Sequence, residues 1–295
     1  MATRVGFLAF IAAVLVGLSA IAFPGGSSNG LSSSADPPGF IYVRDQTEIV
    51  IVSDASGQEP TIDLLDAFRG DTSRFVESIE PIDSRQAFVG ACCQPADGRQ
   101  LLLDLDDGTV EFFPFTVRFP SASVDGSRYV GGGSTVTPNN LGAVLAYENG
   151  VGVVEPGPDL LVRDDGLPFQ PVLLPDERIA VVDVDDSLIV IDSEGATLAR
   201  STIGEVEAFD YDSLNDVIVA ATQDDVVLLD PDSLSEVAGF PATLSSESPV
   251  IALDVHDGWI LFVHEDGSLR GAPVDAPEFG GQLLEADAET AAWLR

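Results

Sequence analysis

A chain of 295 residues that is 45% hydrophobic can bury a full core, which excludes wholesale disorder. Its 49 acidic and 13 basic residues give a net charge of −36, which repels phosphate backbones and excludes nucleic acid as a general partner. We interpret the acid excess as a solubility or salt-adaptation feature, with cation binding as the sharper alternative. All of the basic residues are arginines.

The first 23 residues carry a targeting signal. An apolar run from Val5 to Phe23 follows Arg4, and as a helix it would span roughly 28 Å, just enough for a bilayer core. Residues 20–22, Ala-Ile-Ala, form the small-x-small pattern of a signal-peptidase site. The segment is therefore either a cleaved signal peptide or a transmembrane anchor. Both place the rest of the chain outside the cytoplasm, secreted or membrane-anchored.

Residues 24–37 are rich in glycine, serine and proline and predict a linker, flexible from Gly25 to Ser34. Residues 38–295 predict an all-β domain, because short β-branched and aliphatic runs alternate there with Asp, Gly, Pro, Asn and Ser clusters. The runs recur in order. Residues 205–239 predict four antiparallel strands in about 35 residues, and this four-strand unit occurs five times.

A sixth unit is incomplete at the start of the domain. Its three strands are Phe40 to Val43, Glu48 to Val52 and Thr61 to Leu65, and it lacks an innermost strand. The apolar segment from Ala291 to Leu294 could return to supply it, which would close a ring and remove exposed sheet edges. We therefore predict a β-propeller of six four-stranded blades, or of seven if Leu283 to Leu294 begins another unit.

The repeats resemble a known superfamily. Residues 226–237, VVLLDPDSLSEV, resemble the strand-turn-strand phrase of the YVTN and quinoprotein-like propellers. Residues 123–130, SVDGSRYV, look like the Ser-Pro-Asp-Gly turn of TolB-type repeats, with Val124 in place of proline. WD40 repeats proper are less similar, since no tryptophan is followed by aspartate. The resemblance implies a WD40-like propeller fold and no particular activity.

Arginines are the candidate binding residues. On propeller geometry four of them fall in blade-to-blade connections and a fifth at the start of another, all on one face: Arg69, Arg74, Arg118, Arg163 and Arg200. They either pair with neighbouring carboxylates or line a mouth that binds an anionic group bidentately. The opposite face is predicted to collect acidic turns at Asp83, Asp125, Asp176, Asp212 and Asp257, and at Asp107, Asp192 and Asp232.

Cys92 and Cys93 are the only cysteines and are adjacent. A disulfide between them would be strained, because consecutive Cα atoms lie about 3.8 Å apart and ordinary disulfides need roughly 4.4 Å or more. We predict that they are oxidised to each other, with free thiols or an intermolecular bond as alternatives. Quinoprotein alcohol dehydrogenases place such a pair against their cofactor, but their tryptophan-rich repeats are missing here.

No catalytic, metal or cofactor motif emerges from the sequence, and we predict no cofactor. His256 and His264 are the only histidines, and the hairpin about Asp257 would place His264 opposite Ile251, far from His256. We therefore predict an extracytoplasmic, non-catalytic binding or protein-interaction module for an unidentified protein or small anionic ligand. The alternative is an extracytoplasmic enzyme, either a hydrolase or lyase or a redox protein using the cysteine pair.

Overall fold

The structure is a computed structural model. It describes residues 31–34, 36–53, 60–68, 70, 75–92, 100–112, 117–122, 128–134, 142–148, 162–163, 171–183, 186–192, 196–222, 225–240, 248–275, 281–285 and 287–295. The predicted signal or anchor segment, residues 1–23, lies outside this set. Within the described ranges, no helix is long and apolar enough to cross a membrane.

The described residues form six four-stranded antiparallel sheets, numbered here in chain order. Sheet 1 contains β1 (Phe40–Arg44), β2 (Glu48–Val52), β3 (Thr61–Asp63) and the distant β24 (Thr290–Trp293). Sheet 2 contains β4 (Phe75–Pro81), β5 (Gln86–Cys92), β6 (Gln100–Asp104) and β7 (Val110–Phe112). Sheet 3 contains β8 (Val117–Ala122), β9 (Arg128–Ser134), β10 (Gly142–Glu148) and β11 (Val162–Arg163).

Sheet 4 contains β12 (Val172–Leu173), β13 (Ile179–Val182), β14 (Leu188–Ile191) and β15 (Thr197–Arg200). Sheet 5 contains β16 (Val206–Asp212), β17 (Val217–Thr222), β18 (Val226–Leu229) and β19 (Glu236–Phe240). Sheet 6 contains β20 (Val250–His256), β21 (Trp259–His264), β22 (Leu269–Pro273) and β23 (Gln282–Glu285). The one helical segment in the described part of the chain is a 3-10 turn, Pro175–Glu177, between β12 and β13.

One edge strand from each sheet faces the same central axis. These inner strands are β4, β8, β12, β16, β20 and β24; each contacts the next, and β24 contacts β4. The sheets are therefore arranged around a channel lined by the inner strands. This all-β arrangement is that of a β-propeller, as the repeat pattern predicts.

Apolar side chains fill the spaces between neighbouring sheets. In β18, Val226 and Leu228 pack in a cluster shared with sheet 6, whereas Val227 and Leu229 pack in a cluster shared with sheet 4. Successive residues of a strand point to opposite faces, so both faces of this strand are buried. That is why the strand reads as an uninterrupted apolar run, VVLL, instead of alternating with polar residues.

Sheet 1 is completed from the other end of the domain, as predicted. β24 pairs antiparallel with β1, with Phe40 opposite Trp293 and Val43 opposite Thr290. The Trp293 side chain is fully buried, and its Nε1 donates to the Trp259 carbonyl oxygen at 3.0 Å. The alternative in which residues 283–294 begin a further unit does not match these pairings, since β23 completes sheet 6 and β24 completes sheet 1.

The hairpin between β20 and β21 confirms one local prediction and corrects another. Asp257 and Gly258 form its turn with positive φ angles of 50° and 76°, the geometry that suits right-twisted strands. His264 lies opposite Val250 and not opposite the predicted Ile251, because a β-bulge interrupts the register between Val250 and Ala252. The two histidines are still at opposite ends of the hairpin.

Part of the predicted flexible linker is docked on the domain. Residues 31–34, called the strap below, run along the turns of sheets 5 and 6, where Leu31 is buried in the apolar cluster between those sheets. The Ser32 backbone exchanges two hydrogen bonds with the Asn215 side chain, each 2.7 Å long. Ser34 donates its N–H to the Asp257 carbonyl oxygen at 3.0 Å. Pairing of the strap's backbone groups explains why these serines do not behave as a free tether.

Candidate functional site

The candidate arginines lie at or beside strand ends. Arg118 is the second residue of β8, and Arg163 is the last residue of β11, so both are strand residues and not, as predicted, residues of the connections. Arg200 is the last residue of β15. Because inner strands start and outer strands end on the same face of a propeller, the three are on one face, called the arginine edge below. Arg69 and Arg74 lie outside the described residues.

Arg200 is already engaged by its own sheet. Its guanidinium forms an ion pair with Asp183 and donates a hydrogen bond to the Ser187 hydroxyl. This matches the expectation that some of these arginines pair with neighbouring carboxylates. The binding role of the five arginines stays a prediction.

The cysteine pair falls at the edge of the described chain. Cys92 is the last residue of β5, and its side chain lies outside the described residues, as does the whole of Cys93. The predicted disulfide and the redox use of these residues remain predictions.

The acidic turns are built by short hydrogen bonds within each turn. Asp83 Oδ1 accepts the N–H groups of Arg85 and Gln86, and Asp104 Oδ1 accepts those of Asp106 and Asp107. Such bonds let aspartate replace a backbone partner in a tight turn. Within the described ranges, no three His, Cys, Asp or Glu side chains form a group that could hold a metal ion.

Three buried carboxyl groups lie on the inner strands, where the sequence reading did not place them. Glu80 on β4, Asp210 on β16 and Asp254 on β20 occupy matching positions, each two residues beyond a β-bulge. All three are at least nine-tenths buried. They lie in the second half of their strands, nearer the end that carries the acidic turns.

Polar side chains on the inner strands link each sheet to the next. Asp210 Oδ2 accepts the backbone N–H of Val255 on β20 at 2.7 Å, and Asp254 Oδ2 accepts that of Trp293 on β24 at 2.7 Å. Ser121 on β8 accepts the N–H of Leu173 on β12 at 3.3 Å in the same way. A short polar side chain thus repeatedly holds the next inner strand, and buried hydrogen bonds of this kind are costly to lose.

One guanidinium balances part of this buried negative charge. Arg295 follows β24, keeps 15% of its side chain exposed, and places Nη2 2.9 Å from Glu80 Oε1. Burial, then the charges of Asp254 and Glu80, raise the pKa of Asp210 well above its ordinary value despite the nearby Arg295. Desolvation works against the charge of Arg295, but Glu80, Asp254 and Asp210 outweigh it and raise the pKa of Arg295.

A cavity of about 270 Å³ opens at this end of the channel. Its polar lining includes Ser121, Asp210, His256 and Arg295, and its apolar lining includes Val172, Leu173 and Val255. The cavity lies among the turns that follow the inner strands, called the acidic-turn end below, and therefore opposite the arginine edge. The strap passes beside it, since Asn215 and Asp257 belong to the same turns as its lining residues Ser213 and His256.

A sequence signal for the channel residues exists. A valine followed four residues later by a buried polar residue occurs at Val76 and Glu80, Val117 and Ser121, Val206 and Asp210, and Val250 and Asp254. This spacing recurs in the repeated units of the sequence, but it does not by itself distinguish these three acids from the rest of the 49 acidic residues. To identify the buried acids, one must also know where the β-bulge lies, because the bulge determines the side of the strand to which each later residue belongs.

Comparison with known proteins supports the fold alone. No known family matches the chain, and no curated protein matches it in sequence. A chain from the crystal structure of the mitotic checkpoint complex is similar at 13% identity, with a TM-score of 0.54 over 83% of this chain and 75% of that one. A structural genomics protein of unknown function from Bacteroides thetaiotaomicron VPI-5482 is similar at 14% identity, with a TM-score of 0.52 over 90% and 87% of the two chains.

Proposed function

We propose that the protein is an exported, non-catalytic binding module built on a six-bladed propeller. The observation that carries this proposal is how the channel uses its buried polar groups. Asp210, Asp254 and Ser121 each accept a backbone N–H from the neighbouring inner strand, and Glu80 is paired with Arg295. These groups maintain a rigid ring, which favours a scaffold that presents its surfaces over a site that rearranges during a reaction.

The ring of six sheets supports the proposed blade count, with β24 supplying the inner strand of the first blade. The proposed membership in the YVTN and quinoprotein-like repeats rests on the turn after β18. There Asp230 Oδ1 accepts the N–H groups of Asp232 and Ser233, which gives the Asp-Pro-Asp-Ser phrase a structural reason.

Export is proposed from the N-terminal apolar run, and the strap adds an orientation. Residues 24–30 separate Phe23 from Leu31, and seven residues reach at most about 25 Å. Because the strap is fixed on the acidic-turn end, an anchored domain would hold this end toward the membrane. The arginine edge would face away from the membrane, where it is accessible to a partner.

We propose that the arginine edge binds an anionic group of a protein partner or a small ligand. Guanidinium groups recognise carboxylate and phosphate bidentately, and they are the only cationic side chains besides histidine in this chain. Arg118 and Arg163 are the members to test, because Arg200 is engaged by Asp183.

The test is affinity capture of the exported, full-length protein from crosslinked producing cells. Replacing Arg118 and Arg163 together by alanine should weaken capture of its partner by more than about fivefold, beyond what an exposed ion pair contributes. Arg85→Ala is the matched control, since Arg85 is an exposed arginine on a turn at the opposite end. Equal capture by all three proteins would contradict a binding role for this edge.

A carboxyl-based hydrolase or lyase is the second candidate. It is favoured by the raised pKa of Asp210 beside a cavity, an arrangement that active sites often use for acid or base chemistry. Turnover of glycosidic or ester substrates that is lost in Asp210→Asn would replace the non-catalytic proposal with this one.

A further inference from the structure

The strap lies in a site on the acidic-turn end, called the strap site below, that binds its backbone. Asn215 pairs through its side-chain amide with both the N–H and the carbonyl oxygen of Ser32. Ser34 donates its N–H to the Asp257 carbonyl oxygen at 3.0 Å and accepts the indole N–H of Trp259 at 3.1 Å. These are bonds to alternate residues, the pattern in which one edge of an extended segment is bound. Main-chain bonds of this kind give affinity for a peptide, and side-chain pockets add the specificity.

One aliphatic side chain and one glycine determine how the strap fits. Leu31 is buried in the apolar cluster between sheets 5 and 6. Gly258 also belongs to the strap site, because a Cβ atom there would collide with the Ser32 carbonyl oxygen and lie 2.7 Å from the Ser33 Cα. The strap backbone therefore packs directly on this glycine. The site selects a leucine-sized residue, followed by a chain that can approach the hairpin turn closely.

The charge of the surroundings limits what can bind there. The Asp257 carboxyl group is exposed on the same turn, and Asp275 Oδ1 accepts the Ser33 hydroxyl group at 3.5 Å. The strap itself is uncharged, since no acidic residue occurs between Val5 and Ala35 although the chain has 49. These carboxylates would repel an acidic segment and attract a basic one. The strap site therefore suits a neutral or basic segment.

The strap can leave its site without opening a sheet. It belongs to none of the six sheets, and Leu31 is the single apolar residue among its four. Residues 35–39 connect it to β1, so it stays close to the site after release. A segment on so short a tether has an effective concentration of roughly millimolar, which makes the strap a competitor of any segment that arrives from another molecule.

We propose that the strap site is a peptide-binding site and that the strap occupies it in cis. The partner is an extended, neutral or basic segment of another protein, with a leucine-sized aliphatic residue followed by three small residues, as in Leu31 to Ser34. This segment binds by displacing the strap. The strap site lies at the end opposite the arginine edge, so the proposal goes beyond the function proposed above and does not depend on it.

The test is calorimetric titration of the full-length protein with a peptide of residues 27–35, SSNGLSSSA, whose ends are acetylated and amidated. In the protein variant Leu31→Asp the strap carries a charge that the apolar cluster excludes, so the strap leaves the site. The peptide should bind this variant at least about tenfold more tightly than wild type, in which the strap competes. A peptide with Ser33→Glu should bind at least about threefold more weakly than the unchanged peptide, because Asp275 faces this position.

Tryptophan fluorescence reports whether the strap is in place. The chain has two tryptophans, and Trp293 is fully buried. Trp259 loses its hydrogen bond to Ser34 when the strap leaves. The emission of Leu31→Asp should therefore shift to longer wavelength, and the peptide should reverse the shift, which also shows that the variant is folded.

Further changes in the Leu31→Asp variant test where the peptide binds. Gly258→Ala, whose Cβ atom collides with the peptide backbone, and Asn215→Ala, which removes both bonds to it, should each weaken binding at least about tenfold. Gly70→Ala is the matched control and should leave binding unchanged, since Gly70 has a φ of 73° against 76° at Gly258 and no atom within 4 Å of an added Cβ.

Four results would overturn the proposal. They are no binding of the peptide to Leu31→Asp, equal binding to wild type and Leu31→Asp, full binding after Gly258→Ala or Asn215→Ala, and a dimer in light scattering. In a dimer, the strap of a second copy would be the occupant of the site.

Discussion

Asp230 in a hairpin turn and Asp210 on an inner strand both accept backbone N–H groups, but the pKa of Asp230 is lowered and that of Asp210 is raised. Asp230 accepts N–H groups from its own turn, and hydrogen bonds led by that of the Ser233 side chain lower its pKa. Asp210 accepts an N–H from another sheet, and burial raises its pKa. The turn group stays in water and gains from its donors, whereas the channel group gains one donor and loses its hydration.

Aspartate therefore has two structural roles in this domain: in a turn it stabilises local structure, and on an inner strand it joins distant parts of the chain. A turn aspartate stabilises a few residues around itself. An inner-strand aspartate holds one sheet on the next, at the cost of a buried charge that the ring must neutralise.

The largest expected effect is at Asp254. Asp254→Ala removes the acceptor for the Trp293 N–H, which holds the closing strand, and leaves Arg295 with one carboxylate fewer. We expect the free energy of unfolding to fall by about 3 kcal/mol, measured by urea denaturation. Asp254→Asn keeps an acceptor and should lose clearly less; equal losses in the two variants would show that the hydrogen bond to Trp293 is not what matters.

A smaller effect, with a pH dependence, is expected at Asp210. Because its pKa is raised in the folded state, the folded protein binds more protons at this site than the unfolded chain above about pH 3.9. Its contribution to stability is therefore present at low pH and is lost as the pH rises through the raised pKa. Glu80, Asp254 and Arg295 are the charged groups that act on it.

Asp210→Asn removes this titration and keeps the hydrogen-bond acceptor. We expect the variant to gain stability relative to wild type between pH 4 and 8, by about 1 kcal/mol or more at the upper end. Urea denaturation at several pH values measures the difference in unfolding free energy between the variant and the wild type. The repulsion of the whole charged surface is common to both proteins and cancels in this difference. A difference that does not change with pH would contradict a raised pKa at this position.

The smallest effect is expected at Asp230, with the opposite sign. Its lowered pKa means that its contribution is present above about pH 3.9 and is lost as the pH falls through the lowered value. Asp230→Ala should cost about 1 kcal/mol at pH 7, and the cost should shrink in acid. The same denaturation series measures it, with Asp225→Ala, an exposed acid, as the control. If the loss of unfolding free energy in Asp230→Ala increased as the pH falls, the proposed difference between turn and channel carboxyl groups would be wrong.

The sequence predicts most of the fold because the fold is repeated. Strand runs such as residues 226–229 and the turns that separate them are local features, and the missing inner strand of the first unit indicates closure by Ala291 and Ala292. The strap was not predictable from composition. Its serines look like linker, and they dock only because Asn215 and the Asp257 carbonyl group present matching partners from residues far along the chain.

The candidate site is less visible in the sequence for a physical reason. Arginine is rare in this chain and attracts attention, whereas Glu80, Asp210 and Asp254 are marked in the sequence only by a valine four residues earlier, among 49 acidic residues. A β-bulge decides the direction of their side chains by shifting the alternation of the strand, and a bulge leaves no residue-type signature here. Arg295 joins them only through the closure of sheet 1.

The pairing of β24 with β1 also determines when the domain can finish folding. Its partners are about 250 residues apart in sequence, so this contact pays a loop-closure entropy that a hairpin such as β20 and β21 does not. During synthesis from the N-terminus, β1 waits with an unpaired edge until the last strand has been made. Sheet 1 should therefore be the last to form and the first to open, which makes the β1 edge the point where incompletely made chains would associate.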